Sequence, residues 1–226
     1  MASLIVGDVL NFARDLHPAH DRTRIPDRVA IRLLSTIERD LAAEIAQVNP
    51  DYLISTATIS APITAGEDTP QTIPAFHHVR GGTVHFDDEG LDTKGLELVT
   101  WERRFRTPFN YAAYTAGGAL YFTGLDEDWD IVVSVDVKYT PIPPALPETA
   151  TALTASMTLT DQARGVCQWM LAEHMAVRAA AHPDTPAASR PDVEYFATKA
   201  AQARADFRLA VAQQRRNRTW QMTEGS

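Results

Sequence analysis

Two spacings of apolar residues divide this chain. Between 26 and 48, Val29, Leu33, Ile37, Leu41, Ile45 and Val48 recur every three or four positions, flanked by Ala30 and Leu34. Arg28, Arg32, Glu38, Arg39 and Glu44 fall elsewhere, so the spacing predicts a helix with one buried face. Pro26 suits its first turn and Asn49-Pro50 ends it. A shorter helix is expected over 4–16, where Val6, Val9, Leu10, Ala13 and Leu16 share a face and Pro18 stops the run. After Pro50 the period drops to two. Ile131, Val133, Val135, Val137 and Tyr139 alternate with Val132, Ser134, Asp136 and Lys138, the pattern of a strand with one packed and one wet side.

Further strands are expected at 52–59, 71–79 and 82–86 around a Gly81-Gly82 turn, and at 96–104. A hairpin is expected from 119–123 through the acidic stretch 124–128 to 129–139. The run 141–147 holds four prolines and reads as a stiff connector. Helical spacing then returns. Thr160 is the expected N-cap of a third helix carrying Val166, Trp169, Met170, Met175 and Val177, which ends near His182-Pro183. A fourth helix over about 191–216 aligns Val193, Phe196, Ala200, Ala203, Phe207, Ala210 and Val211. The expected fold class is α+β: a four-helix bundle of two N-terminal and two C-terminal helices, with an antiparallel β-sheet or sandwich inserted between helices two and three. The expected domains are 1–50 with 141–216 for the bundle, 51–140 for the insertion, and 217–226 as a flexible C-terminal docking tail.

Composition narrows the function classes. Of 226 residues, 45% are apolar and 22% charged, the balance of a folded chain, and no run approaches a membrane span. The first residues lack the basic stretch and apolar core of a signal peptide. The net charge of −8 argues against a phosphate-backbone binder. The charge is uneven. From 199 to 218, Lys199, Arg204, Arg208, Arg215, Arg216 and Arg218 face only Asp206, whereas the middle holds Asp87-Asp88-Glu89 and Asp126-Glu127-Asp128. Such asymmetry marks a docking end distinct from the body.

The residues that carry chemistry elsewhere have plainer readings here. A structural zinc site draws four ligands, usually with cysteines at short spacing. His17 and His20 lie in a polar linker, His77, His78 and His85 lie among strands, and the single cysteine, Cys167, is remote from both groups. Cys167 and His174 fall on one helix, but Cys167 sits among Val166, Trp169 and Met170, so a buried, inert thiol is expected. The acidic clusters lack calcium-loop spacing and read as solvated turns, and no phosphate-cradling glycine motif is present. Arg103, Arg104 and Arg106 form a second basic group. Arg215, Arg216 and Arg218 differ in preceding Trp220, because Arg and Trp are enriched at interface hot spots. That segment is expected to bind a partner protein.

The segments 8–15 (DVLNFARD), 25–41 (IPDRVAIRLLSTIERDL) and 49–52 (NPDY) resemble the opening of head-to-tail adaptor, or connector, proteins of tailed bacteriophages. Residues 139–144 (YTPIPP), 159–163 (LTDQA) and 168–172 (QWMLA) look like that family's return into the bundle, and the closing helix with Phe196 and Phe207 is similar to its C-terminal part. The resemblance implies a non-enzymatic virion protein at the head–tail junction, assembled in the host cytoplasm. It implies a homo-oligomeric ring of about twelve copies through which genomic DNA only passes. The portal protein would dock on Arg208, Arg215, Arg216, Arg218 and Trp220, and a tail or nozzle protein would meet Asp126, Glu127, Asp128 and Trp129. No catalytic residue, metal, cofactor or membrane contact is expected. Two other classes remain open: a tail terminator or other virion-completion subunit, and a small metal-dependent hydrolase using His77, His78, His85 and Asp87.

Overall fold

The computed structural model describes residues 3–63, 65, 69–104, 111–123 and 129–223, with the backbone alone at 3, 150, 151 and 215–223. The fold is mixed α+β, with four α-helices among the described residues. It divides into two compact units, one made of residues 1–52 and 143–226, the other of residues 53–142.

In the first unit, strand β1 (Ser3–Ile5) leads into helix α1 (Val6–Asp15). A 3-10 turn, Pro18–His20, then leads to helix α2 (Asp27–Val48). The other half contributes strand β8 (Ser156–Thr160), helix α3 (Arg164–Ala181) and helix α4 (Val193–Thr223). Pro26 occupies the N-cap of α2, where its missing N–H costs nothing. The buried face of α2 is wider than the spacing predicts. Ala30, Ile31, Leu34, Ile37, Leu41, Ala42 and Ile45 are buried, while Val29, Leu33 and Val48 sit at its half-buried margin. Ser35 and Glu38 also lie inside, which polarity alone would not suggest. Phe12 of α1 meets Trp169 of α3 edge-on at 5.7 Å. Asn49, the C-cap of α2, donates to the Val211 carbonyl at 3.1 Å and ties α2 to α4.

Three boundaries differ from expectation. The start of the first expected helix is strand β1, which pairs antiparallel with β8. Thr160 ends β8 instead of capping α3; a 3-10 turn, Asp161–Ala163, intervenes and Thr160 makes no side-chain cap. Helix α4 continues past the boundary expected near Arg216 to Thr223, because 213–223 contains neither Gly nor Pro.

The second unit is built on a six-stranded sheet in the order β2-β7-β3-β4-β5-β6. The strands are β2 (Ser55–Ser60), β3 (Phe76–His85), β4 (Thr93–Leu98), β5 (Ala112–Ala116), β6 (Ala119–Thr123) and β7 (Ser134–Pro141). Pairing is antiparallel except between β4 and β5, which run parallel. Val84, Leu96, Tyr111, Leu120, Phe122, Trp129, Val135 and Val137 form its core.

The glycines account for two departures from the expected strand pattern. Gly81-Gly82 is not a turn: β3 runs through it, with an irregularity in register between Val79 and Gly81 and a φ of 126° at Gly81. The tight hairpin instead joins β5 to β6 through Gly117 and Gly118, with φ of 58° and 80°. Positive φ at both loop residues matches the strand twist, as in type I′ turns. Consequently β6 pairs with β5, and β7 with β2 and β3, in place of the expected β6–β7 hairpin. At Gly82 the β7 backbone comes so close that a Cβ would collide with the Asp136 carbonyl oxygen and touch Leu96 Cδ2 at 3.0 Å. Gly82→Ala is therefore expected to cost about 1–3 kcal/mol, the usual penalty for overpacking, measured as a fall in the urea midpoint.

Trp129 takes a place unlike the one expected for a tail-side contact. It precedes β7, is only 1% exposed, stacks on Phe122 at 4.5 Å and meets Tyr111 edge-on at 5.4 Å. It is a core residue and offers no surface to a partner. Ile131, expected on the packed side, is 63% exposed, because a turn closed by the Val132 N–H on the Trp129 carbonyl reverses the alternation there.

Candidate functional site

The strand period places a polar group on the open face of the second unit. Val135 and Val137 point into the core, so Asp136 between them points out. Because β7 lies between β2 and β3, Asp136 pairs with Thr58 on one side and Thr83 on the other. Thr58 Oγ1 donates to Asp136 Oδ1 at 2.6 Å, and His85 Nε2 lies 3.2 Å from Asp136 Oδ2. Beside them the loop 87–92 closes on Asp87, whose two carboxylate oxygens accept from the Leu91 and Asp92 N–H groups at 2.9 Å each.

Thr58, His85, Asp87 and Asp136 line an open depression of about 610 Å³ with Asp88, Glu89 and Ser134. Four carboxylates and no Lys or Arg line it, so acidic groups dominate its charge. The whole second unit shares that sign: thirteen acidic residues against six basic ones give −7 of the chain's −8.

The other residues considered for metal chemistry do not converge here. His77 and His78 are neighbours on β3, where its register against β7 is irregular between Phe76 and His78. His85 is eight residues further along, roughly 25 Å at strand rise. Burial, and then the neighbouring His78, pull His77 below its ordinary value. Among the described residues no group of three or more His, Cys, Asp or Glu side chains is placed to share a metal ion.

In the helical unit, Cys167 is fully buried, and burial together with the nearby Glu38 charge pushes its thiol far above its ordinary value. Glu38, also buried, accepts the N–H groups of Thr158 and Leu159 at 2.5 and 3.3 Å, joining α2 to β8.

Of the expected docking residues, Arg208 is well defined. Arg204 and Arg208, one helical turn apart on α4, both reach Glu44 of α2, at 2.7 Å each. Arg208 is thus engaged within the chain, although its side chain stays 59% exposed. Arg215, Arg216, Arg218 and Trp220 lie on the last turns of α4, their side chains outside the described residues. Asp126, Glu127 and Asp128 lie outside the described residues altogether.

Thr58, Asp136 and Glu44 were legible only as polar positions in apolar patterns. Their partners lie 78 and 160 residues away along the chain, and spacing carries no signal at that range. In comparisons with known proteins, no family model and no curated protein matches this chain. Among the described residues, no helix is long and apolar enough to cross a membrane.

Proposed function

We propose that this chain is a structural head-to-tail adaptor of a tailed phage, one subunit of a ring of about twelve that joins the portal to the tail. The observation that carries the reading is the layout: residues 1–52 and 143–226 fold into one helical unit from which 53–142 leaves as a β-rich excursion. In this reading α1 to α4 act as a four-helix bundle, and the excursion supplies contacts to neighbouring copies and to the tail. The concentration of negative charge on 53–142 supports it, since a wall of that sign lets DNA slide past without binding phosphate. The long α4 supports it too, because its basic last turns, with Arg215, Arg216, Arg218 and Trp220, extend beyond its pairing with Glu44 and reach a portal groove. In the virion, DNA passes through the ring and no membrane or cofactor takes part.

The test is electron microscopy of the purified protein mixed with its candidate portal, alone and as the 1–216 truncation. The full chain is expected to crown the portal with a ring, and the truncation to lose binding with an unchanged circular dichroism spectrum. Equal binding by the truncation would remove the docking role of 217–226, and absence of any ring on the portal would remove the adaptor reading.

A further inference from the structure

The 3-10 turn between α1 and α2 holds a titratable ring that none of the roles above uses. His20 is 0% exposed, and its Nδ1 lies 2.7 Å from the Ala13 carbonyl oxygen. A carbonyl only accepts, so Nδ1 carries the proton and the neutral ring has its lone pair on Nε2. Nε2 is buried and has no hydrogen-bond partner. The ring packs against Phe196 in the first turn of α4, centroids 5.2 Å apart, and against His17 at 5.5 Å.

The surrounding charges do not welcome a second proton. The groups acting on the ring are His17 in the same turn and Arg14 of α1. Arg14 is fixed there: it donates to the His20 and Ile25 carbonyls at 2.6 and 2.9 Å and pairs with Asp27 of α2, which is thereby already committed. From α4 the ring meets the apolar Phe196, and among the described residues no carboxylate of α3 or α4 acts on it. Burial, with His17 and Arg14 nearby, holds His20 below its ordinary value against the opposing hydrogen bond to Ala13.

We propose that His20 is a pH-sensitive latch on the N-terminal end of α4: neutral, it fills the corner between α1 and α4 against Phe196; doubly protonated, its Nε2–H finds no acceptor and that end of α4 comes free. A buried donor left unpaired next to a cation is among the costliest arrangements in a fold, and release to water relieves it. The latch is independent of what α4 binds.

The linkage has a fixed sign. A folded-state value below the unfolded one means the contact is intact above about pH 6.5 and is lost as pH falls through the folded value. The measurement is native-state amide hydrogen exchange of 196–203 at about pH 7.5 and about pH 5.5, corrected for intrinsic rates, on the full chain and two variants. As pH falls from the unfolded value near 6.5 to the lower folded value, protection of these amides is expected to fall by up to about tenfold per pH unit, with α3 amides 170–178 keeping theirs. His20→Asn, whose amide can still donate to Ala13 but does not titrate, is expected to make protection independent of pH. His17→Gln is expected to leave the pH dependence in place. Unchanged protection of 196–203 in the wild type overturns the latch, as does equal loss in α3. It is also overturned if His17→Gln abolishes the effect or His20→Asn retains it.

Discussion

Trp129→Ala is expected to unfold the β-rich unit under conditions where the wild type is folded. The indole is 1% exposed, stacked on Phe122 and edge-on to Tyr111, and it lies in the same core as Val84, Leu120, Val135 and Val137. Truncation removes the largest fully buried side chain among the described residues and opens a cavity in that core. Losses of about 3–5 kcal/mol are usual for Trp→Ala in a core, a large share of a domain's stability of about 5–15 kcal/mol. Urea unfolding followed by near-ultraviolet circular dichroism reads the effect. A midpoint within error of the wild type would show that the ring is not packed as described.

The second large effect concerns Glu38, and two substitutions separate its charge from its hydrogen bonds. Glu38→Ala orphans the Thr158 and Leu159 N–H groups and leaves a void, with an expected loss of about 2–5 kcal/mol. Glu38→Gln keeps an acceptor for both amides and removes the charge. Burial pushes the Glu38 carboxyl above its ordinary value, with the two amides opposing. The folded state therefore holds the proton more tightly than the unfolded state. Its advantage is complete below the unfolded value near 4.5 and is lost as pH rises through the folded value. Glu38→Gln is expected to match the wild type in acid and to exceed it at neutral pH, as read from thermal midpoints across pH 4–8. A constant offset at every pH would mean the carboxyl is not strained by burial.

These residues show where the sequence was readable. Helix α2 was legible because one stripe of apolar residues at helical spacing has a single structural meaning, and Ile37, Leu41 and Ile45 are buried as that spacing requires. Its edges were less so: Ala30, Ile31 and Leu34 face inward as well, since a helix packed on more than one side buries a wider arc than a single seam. Strand β7 was legible from Val135 onward for the same reason, with period two in place of 3.6. Which strand it pairs with was not. Nothing in 119–139 announces that β7 inserts between β2 and β3, because pairing is decided by where the whole sheet closes. The local clue lay in Gly117-Gly118, whose φ values make the tight β5–β6 turn and leave β6 committed to β5.

Polar residues inside the helical unit were the least legible. Glu38 and His20 look like surface positions when read one residue at a time. Each is buried because it satisfies backbone groups, Glu38 those of β8 and His20 that of Ala13. Backbone groups carry no sequence signature, so only the fold reveals that they are waiting for a partner.

The division of the chain also sets an order of events during translation. Residues 53–142 leave the ribosome as one contiguous stretch, with every strand of the six-stranded sheet present before α3 is made. The β-rich unit can therefore fold while the chain is still growing. Helices α1 and α2 cannot finish, because β8, α3 and α4, which cover them, arrive last. Until then Ile31, Leu34, Leu41 and Ile45 stand without their lid, and a nascent chain stalled near residue 150 presents a folded sheet beside a sticky, half-built partner that invites chaperones.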